Sequence, residues 1–586
     1  MRRSSLGGLF LVLAAAVSAF GGGSSEAAAA PAAKVQPTIR NYKWEVKYEL
    51  KSPDCYRTLA MAINGETPGP TIFATEGDTV VVEVKNSLVT ENLAIHWHGI
   101  KQIGTPWYDG TEGVSQCPIL PGDTFTYEFV VDKAGTYLYH AHYGLQRQTG
   151  SQGMIVVAAA KESKREPFSY DAQPPPILLT DWYHTTYQEQ AAGLSAIPLV
   201  WVGEPQSLLI NGRGKFACSG AGDQAAGVCN ATNPQCAPYS LSVLPGKTYR
   251  LRIGSLTALS ALSFQIEGHN MTVVEADGNY VDPFVVQNLF IYSGETYSVL
   301  LRADQDPKRN YWMSTQVVAR NNTTPNALAI LNYGTNSATP TSPTTAPPVG
   351  PRWDDLAPRV NQSRSIRAHP RFNTPPPKTS DRTIVMLNTQ NNVDGMRKWA
   401  INNVSLFLPH TPYLVALKYK LLAAFDPTSP PDGYDEQKYD IYAVQKNPNA
   451  VARDGIYRLV FNSTVDVVLQ NANTMNPNNS ETHPWHLHGH EFWVLGYGDG
   501  KFNRSTDPER FNLVDPIMKN TVPVHTYGWT ALRFKADNPG AWLFHCHLDA
   551  HFYMGMGVVF EEGIQKLGNL PPSIMGCGLS KNITHP

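Results

Sequence analysis

The chain has 586 residues, several times the length of a typical single domain, so about three domains are expected. Its 47 basic and 49 acidic side chains leave a net charge of -2, which offers no one-signed field to nucleic acid or to an anionic membrane, and neither is expected as a partner. Charged residues are 16% and hydrophobic residues 42%, which excludes wholesale disorder, and 46 glycines and 45 prolines beside many β-branched and aromatic residues indicate an all-β chain of short strands and tight turns.

Arg2 and Arg3 precede an apolar run over residues 6–20 and a small-residue stretch over 21–33. A basic start, a short apolar run and small residues read as a secretory signal peptide, residues 1–33, too short for a membrane span. Export agrees with nine Asn-x-Ser/Thr sequons, at Asn230, Asn321, Asn322, Asn361, Asn403, Asn462, Asn478, Asn503 and Asn582. It also agrees with seven cysteines, of which six can pair in an oxidising compartment and one is left over.

Strand signals follow in order. Thr79-Val80-Val81-Val82-Glu83-Val84 comes after the turn Glu76-Gly77-Asp78, and Phe125-Thr126-Tyr127-Glu128-Phe129-Val130 after Leu120-Pro121-Gly122-Asp123. A soft boundary lies near residues 162–176. A second Pro-Gly entry, Leu244-Pro245-Gly246-Lys247, precedes Thr248-Tyr249-Arg250-Leu251-Arg252. Residues 335–377 are dense in Pro, Thr and Ser and read as an interdomain linker draped over the surface. Thr383-Ile384-Val385-Met386-Leu387 opens the last domain, where Asn538-Pro539-Gly540 again precedes a strand, Ala541-Trp542-Leu543-Phe544. The recurrence points to repeated β-sandwich units.

Histidine carries the chemistry. With 17 histidines, chance arrangement gives about 0.5 His-x-His pairs; the chain has five, His96/His98, His140/His142, His486/His488, His488/His490 and His545/His547. Imidazole is the commonest metal ligand, and in a strand residues i and i+2 share a face, so four pairs offer eight imidazoles to a buried site. In His545-Cys546-His547 the cysteine faces the other way. It therefore addresses a different metal, on the order of 10 Å away by backbone reach. One thiolate, two imidazoles and a weak thioether make a blue-copper electron-transfer site, with Cys546, His551, Met556 and His483 as the donors. Structural zinc or a haem leaves most of the paired histidines unexplained.

His96-Trp97-His98-Gly99, His140-Ala141-His142, His483-Pro484-Trp485-His486-Leu487-His488-Gly489 and His545-Cys546-His547-Leu548-x-x-His551-x-x-x-x-Met556 resemble, in order and spacing, the four copper motifs of the multicopper oxidases. The resemblance implies three cupredoxin-like Greek-key β-sandwich domains, over 34–165, 166–380 (with the linker at its end) and 381–586. It implies four copper ions. Type 1 copper falls to His483, Cys546, His551 and Met556. Type 2 falls to His96 and His486, and the type 3 pair to His98, His140, His142, His488, His545 and His547. Within the family the chain is most similar to the ascorbate oxidases of plants, through Trp201-Val202-Gly203-Glu204-Pro205-Gln206, Lys398-Trp399-Ala400-Ile401-Asn402-Asn403-Val404-Ser405, His483-Pro484-Trp485 and the axial Met556.

That similarity implies a secreted, extracellular glycoprotein of the cell wall or apoplast. Its substrates are ascorbate, oxidised by single electrons, and dioxygen, reduced to two waters. Trp201 and Trp399 flank the reductant beside His551; Asp109 matches an acidic residue that the family places near the cluster, and is expected to relay protons. The implied disulfides are Cys55–Cys236, Cys117–Cys577 and Cys218–Cys229, and a homodimer is compatible with the family. A laccase-like phenol oxidase shares the twelve ligands, and a non-enzymatic copper-holding wall protein is the alternative of another class.

Overall fold

A computed structural model describes residues 37–160, 166–221, 227–321, 323–334 and 341–583, so the signal-peptide reading lies outside the described residues. The all-β expectation holds. Strands within residues 39–158 form two four-stranded sheets, those within 177–333 form sheets of six and five strands, and those within 382–562 form sheets of eight and five. Among the described residues no helix is long and apolar enough to cross a membrane.

Period-two alternation builds these sheets. In the strand Thr79–Asn86, Val80, Val82 and Val84 are buried, and in its antiparallel neighbour Thr124–Val130 so are Phe125, Tyr127 and Phe129. Aromatic rings bridge facing sheets: Trp44 meets Tyr139 at 4.6 Å between centroids, and Phe534 meets Phe560 at 5.4 Å. The three implied disulfides are all present. Cys55–Cys236 and Cys117–Cys577 tie segments 181 and 460 residues apart, Cys218–Cys229 closes a short loop, and Cys546 is free and buried.

The linker differs from the expectation of a purely surface segment. It contains the helix Leu356–Ser365, whose Arg359, Val360, Gln362 and Ser363 are buried. The Gln362 side-chain amide pairs with the main chain of Phe290 in both directions, accepting from its N–H at 2.8 Å and donating to its carbonyl at 2.7 Å. The amide thus acts as a one-residue strand on the edge strand Asn288–Ile291. Proline and threonine density conceals such a helix because its docking is polar.

Register places the histidines. His96 pairs with His140 across the strands Ile95–His96 and Gly135–Ala141, and His486 pairs with His545 across His483–Leu487 and Gly540–Cys546. A one-residue slip would turn every donor to the wrong face. The turn after Asp109 is equally constrained: Gly110 has φ +83°, and a Cβ there would lie 1.7 Å from Ile95 O. Left-handed backbone alone costs an ordinary residue about 1–2 kcal/mol, and this clash adds to it. Gly110→Ala should therefore lower the calorimetric unfolding temperature and loosen metal retention, whereas Gly122→Ala, with the same sign of φ but open space, should show only the smaller backbone penalty.

Candidate metal centre and reductant pocket

The eight paired histidines His96, His98, His140, His142, His486, His488, His545 and His547 are at most 5% exposed and converge on one site. Their nitrogens fall into three sets. His96 Nε2 and His486 Nε2 are 3.3 Å apart. His142, His488 and His545 form a compact trio, with 3.1 Å between His488 Nε2 and His545 Nε2. His547 Nε2 lies 3.3 Å from His140 Nε2, and the His98 ring centre lies 4.7 Å from that of His547. Other groupings also satisfy metal-binding distances, notably His96 with His98 and His140, and His96 with His486 and His488. Eight imidazoles thus surround one volume.

Tautomers follow from the second partner of each ring. The Nδ1–H groups of His96, His140, His486 and His545 donate to the carbonyls of Asp109, Ala141, Asn520 and Cys546 at 2.7, 3.0, 2.9 and 2.9 Å. His488 Nδ1–H donates to Asp109 Oδ2 at 2.9 Å, and His547 Nδ1 lies 2.9 Å from Ser293 Oγ. The five donated Nδ1–H groups leave Nε2 of His96, His140, His486, His488 and His545 with a lone pair directed inward, whereas the Arg147 guanidinium, a donor only, also lies against the His547 ring, 3.0 Å from its Nε2. His98 is reversed: Nε2 contacts Thr521 Oγ1 at 3.1 Å, and Nδ1 is buried with no hydrogen-bond partner.

Burial first, and then neighbouring positive charge, pushes His98, His140, His486, His488, His545 and His547 well below the usual imidazole range. They are neutral, as metal ligands must be. Asp109 is fully buried; desolvation raises its carboxyl, but His96 and the Thr111 hydroxyl outweigh it and hold it below the ordinary value. It is therefore an anion bracing His488 and His96.

On the opposite side of the strand Gly540–Cys546, the Cys546 sulfur lies 3.7 Å from His483 Nδ1 and 3.8 Å from His551 Nδ1, and those two nitrogens are 3.1 Å apart. Met556 is fully buried, and its carbonyl accepts from Cys546 N–H at 3.0 Å. Burial lowers His483 to about 3 and pushes the Cys546 thiol up. Such a thiol ionises only when a cation takes the place of its proton.

The sequence-predicted tryptophans separate. Trp399 is 1% exposed and packs on both His483 and His551, at 5.0 and 4.9 Å between ring centres. Trp201 is partly exposed, 6.0 Å from the His551 ring.

Reading the sequence alone misses four neighbours. Glu481 Oε2 lies 3.1 Å from His551 Nε2; burial opposes its charge, but His551 and Arg320 hold the carboxyl far below its usual value. Arg320 bonds Glu204 at 2.8 Å and so ties the Trp201 loop to the same place. Both Arg320 and Glu481 line a cavity of about 550 Å³, whose rim includes Asn321 and Asn478. On the histidine cluster's side, Arg147 donates to His547 O at 2.7 Å and pairs with Asp549, whose carboxyl burial raises to about 6. The one sequence signal for Glu481 and Asp549 was adjacency to the motifs; for Arg320 and Arg147 there was none.

Three models of the multicopper oxidase family match residues 45–162, 175–336 and 425–566, and the chain belongs to that family. An L-ascorbate oxidase of Brassica rapa subsp. pekinensis is 52% identical over 93% of this chain and 95% of its own length. One of Cucumis sativus is 52% identical over 92% of each. Laccase-22 of Oryza sativa subsp. japonica is 35% identical over 89% of this chain and 91% of its own. Among solved structures, the laccase from Botrytis aclada superposes with a TM-score of 0.72 at 28% identity, covering 92% of this chain and 90% of that one. The three pairs of sheets are thus cupredoxin-like sandwiches, and the family's metal is copper.

The donors fit copper: a soft thiolate between two imidazoles on one side, and neutral imidazoles with inward lone pairs on the other. The unpartnered His98 Nδ1 is the lone pair such an ion would take. Cys546→Ser should erase the visible thiolate-to-copper absorption while copper counts show the histidine cluster still loaded. A blue Cys546→Ser protein would overturn the assignment of the sulfur.

Proposed function

We propose that the protein is a secreted L-ascorbate oxidase. It takes single electrons from ascorbate at His551 and passes four of them, with four protons, to one dioxygen to make two waters. The observation that carries this reading is Cys546: its sulfur meets His551 beside the Arg320–Glu481 cavity, while its chain neighbours His545 and His547 belong to the eight-histidine cluster. Two sites of different chemistry are thereby joined by a few covalent bonds.

Copper bound at these donors would supply one-electron redox chemistry and storage of the four electrons that dioxygen requires. We assign His483, Cys546, His551 and Met556 to type 1 copper, and His96 and His486 to type 2. The trio His142, His488 and His545 takes one type 3 ion and His98, His140 and His547 the other, four ions in all. The inward Nε2 atoms and the reversed His98 Nδ1 support this partition. Asp109 holds His488 and His96 in place, and its buried anion is a proton acceptor beside the cluster.

For the reductant, the exposed face of Trp201 offers a flat surface, the Arg320 guanidinium attracts an anionic enediol, and Glu481 can accept a hydroxyl hydrogen bond next to His551 Nε2. Trp399, being buried, braces the two type 1 histidines. Relatives named L-ascorbate oxidase at 52% identity, against 35% for a named laccase, support the substrate. Domain limits at 34–165, 166–380 and 381–586 are supported by the sheets: among the described residues none draws strands from two of these ranges.

Oxygen uptake with ascorbate, measured beside the copper content, tests the function; uptake with a bulky phenol but not with ascorbate would favour a laccase. Truncating Trp201 removes contact area worth about 1–3 kcal/mol, so Trp201→Ala should raise the ascorbate KM about 5- to 150-fold with the blue spectrum unchanged. Trp399→Ala should instead perturb the blue spectrum. Met556→Leu should stay blue and gain reduction potential, because it loses a weak thioether donor; an unchanged potential would make Met556 a packing residue.

A further inference from the structure

His98 must present the nitrogen opposite to the one its companions use, and the chain has a device that enforces this. Thr521 Oγ1 lies 3.1 Å from His98 Nε2 and 3.1 Å from His486 Nδ1, and its hydroxyl donates to Asn520 Oδ1 at 2.9 Å. With its one proton committed, that oxygen has only lone pairs to offer, so both imidazole nitrogens facing it must carry hydrogen. His486 Nδ1–H is also satisfied by Asn520 O at 2.9 Å. The consequence is a His98 protonated on Nε2 with Nδ1 free, and a His486 protonated on Nδ1 with Nε2 free.

The Asn520–Thr521 segment is itself held from elsewhere in the chain. The N–H groups of Asn520 and Thr521 donate to Asp277 Oδ2 at 3.4 and 3.2 Å, and the other oxygen of Asp277 accepts from Thr296 N–H at 2.9 Å. The Lys519 ammonium sits 3.4 Å from Asp277 and 3.0 Å from Glu295, and all three side chains are at most 2% exposed. Asp277 occupies a left-handed position, φ 46°, in the turn after the strand Met271–Ala276. It belongs to the middle stretch of the chain, which supplies none of the proposed copper ligands. A charge buried this deeply and made to grip two adjacent main-chain amides serves to fix them.

We propose that Thr521, clamped by Asp277 through the Asn520–Thr521 amides, is a positioning residue that sets the opposite tautomers of His98 and His486, and so decides which nitrogens of the cluster can bind copper. This rests on the copper reading above. The middle stretch thereby acts on the trinuclear site without donating a ligand.

Thr521→Val keeps the branched shape and removes the hydroxyl; Thr521→Ser keeps the hydroxyl. Each variant and the wild type would be stripped, reloaded with copper ions alone, and compared by copper content under chelator challenge, type 2 electron paramagnetic resonance, blue absorption and ascorbate kinetics. Loss of an orienting partner behind a metal ligand typically costs about 10–100-fold. Thr521→Val should accordingly lose turnover and copper retention at the histidine cluster by about that factor, with an altered type 2 signal, and keep its blue absorption and ascorbate KM. Thr521→Ser should stay within about threefold of wild type on the same scale. Asp277→Asn should shift the type 2 signal in the same direction.

Wild-type copper retention and turnover in Thr521→Val would overturn the inference, as would equal damage in Thr521→Ser, or loss of the blue colour together with turnover, which marks general unfolding. A wild-type protein that neither holds copper at the cluster nor consumes oxygen would instead overturn the functional reading and this inference with it.

Discussion

Eight imidazoles share one buried volume only because most of them are stripped of protons by that burial, and each ring then needs a reason to point its lone pair inward. Main-chain carbonyls supply the reason for His96, His140, His486 and His545. Asp109 supplies it for His488. The carbonyls of Ala141 and Cys546 belong to paired strands, so for these rings the electrostatics of the cluster and the register of the sheets are one problem. A protonated imidazole in this space would meet neighbours a few ångströms away, with little water to screen it.

The second constraint is the alternation of a single strand. Because Cys546 faces away from His545 and His547, one short peptide serves two sites that must stay chemically distinct. The Cys546 side is tightly packed by Trp399, which lies against both His483 and His551 and helps bury the sulfur. Beside His551, Glu481 and Arg320 line a polar cavity. The histidine side is ringed by charged pairs such as Arg147–Asp549, which neutralise one another beside the ligands.

The middle pair of sheets is more than a spacer. It contributes Ser293 to His547, a Gly294 whose absent side chain leaves room for the His98 ring, and the buried carboxylates Asp277 and Glu295 that hold Lys519 of the last pair of sheets beside Thr521. These contacts bind parts of the chain hundreds of residues apart, and the disulfides Cys55–Cys236 and Cys117–Cys577 add covalent ties over 181 and 460 residues.

Strand class, the clustering of the paired histidines and the opposite facing of Cys546 were legible in the sequence because they rest on short-range rules: two-residue alternation, the chemistry of thiolate and imidazole, and turn residues such as Pro121-Gly122. The disulfide pairing came from family resemblance, since fifteen pairings of six cysteines are formally open. The grouping of the histidines, the exposure that separates Trp201 from Trp399, and the linker's helix were decided only by the tertiary structure. So were Glu481, Arg320, Thr521 and Asp277 as partners of the site. Each depends on contacts across long separations, as between Asp277 and Thr521 or Asp109 and His488. No local pattern encodes a hydrogen bond whose two ends meet only after the sheets have closed.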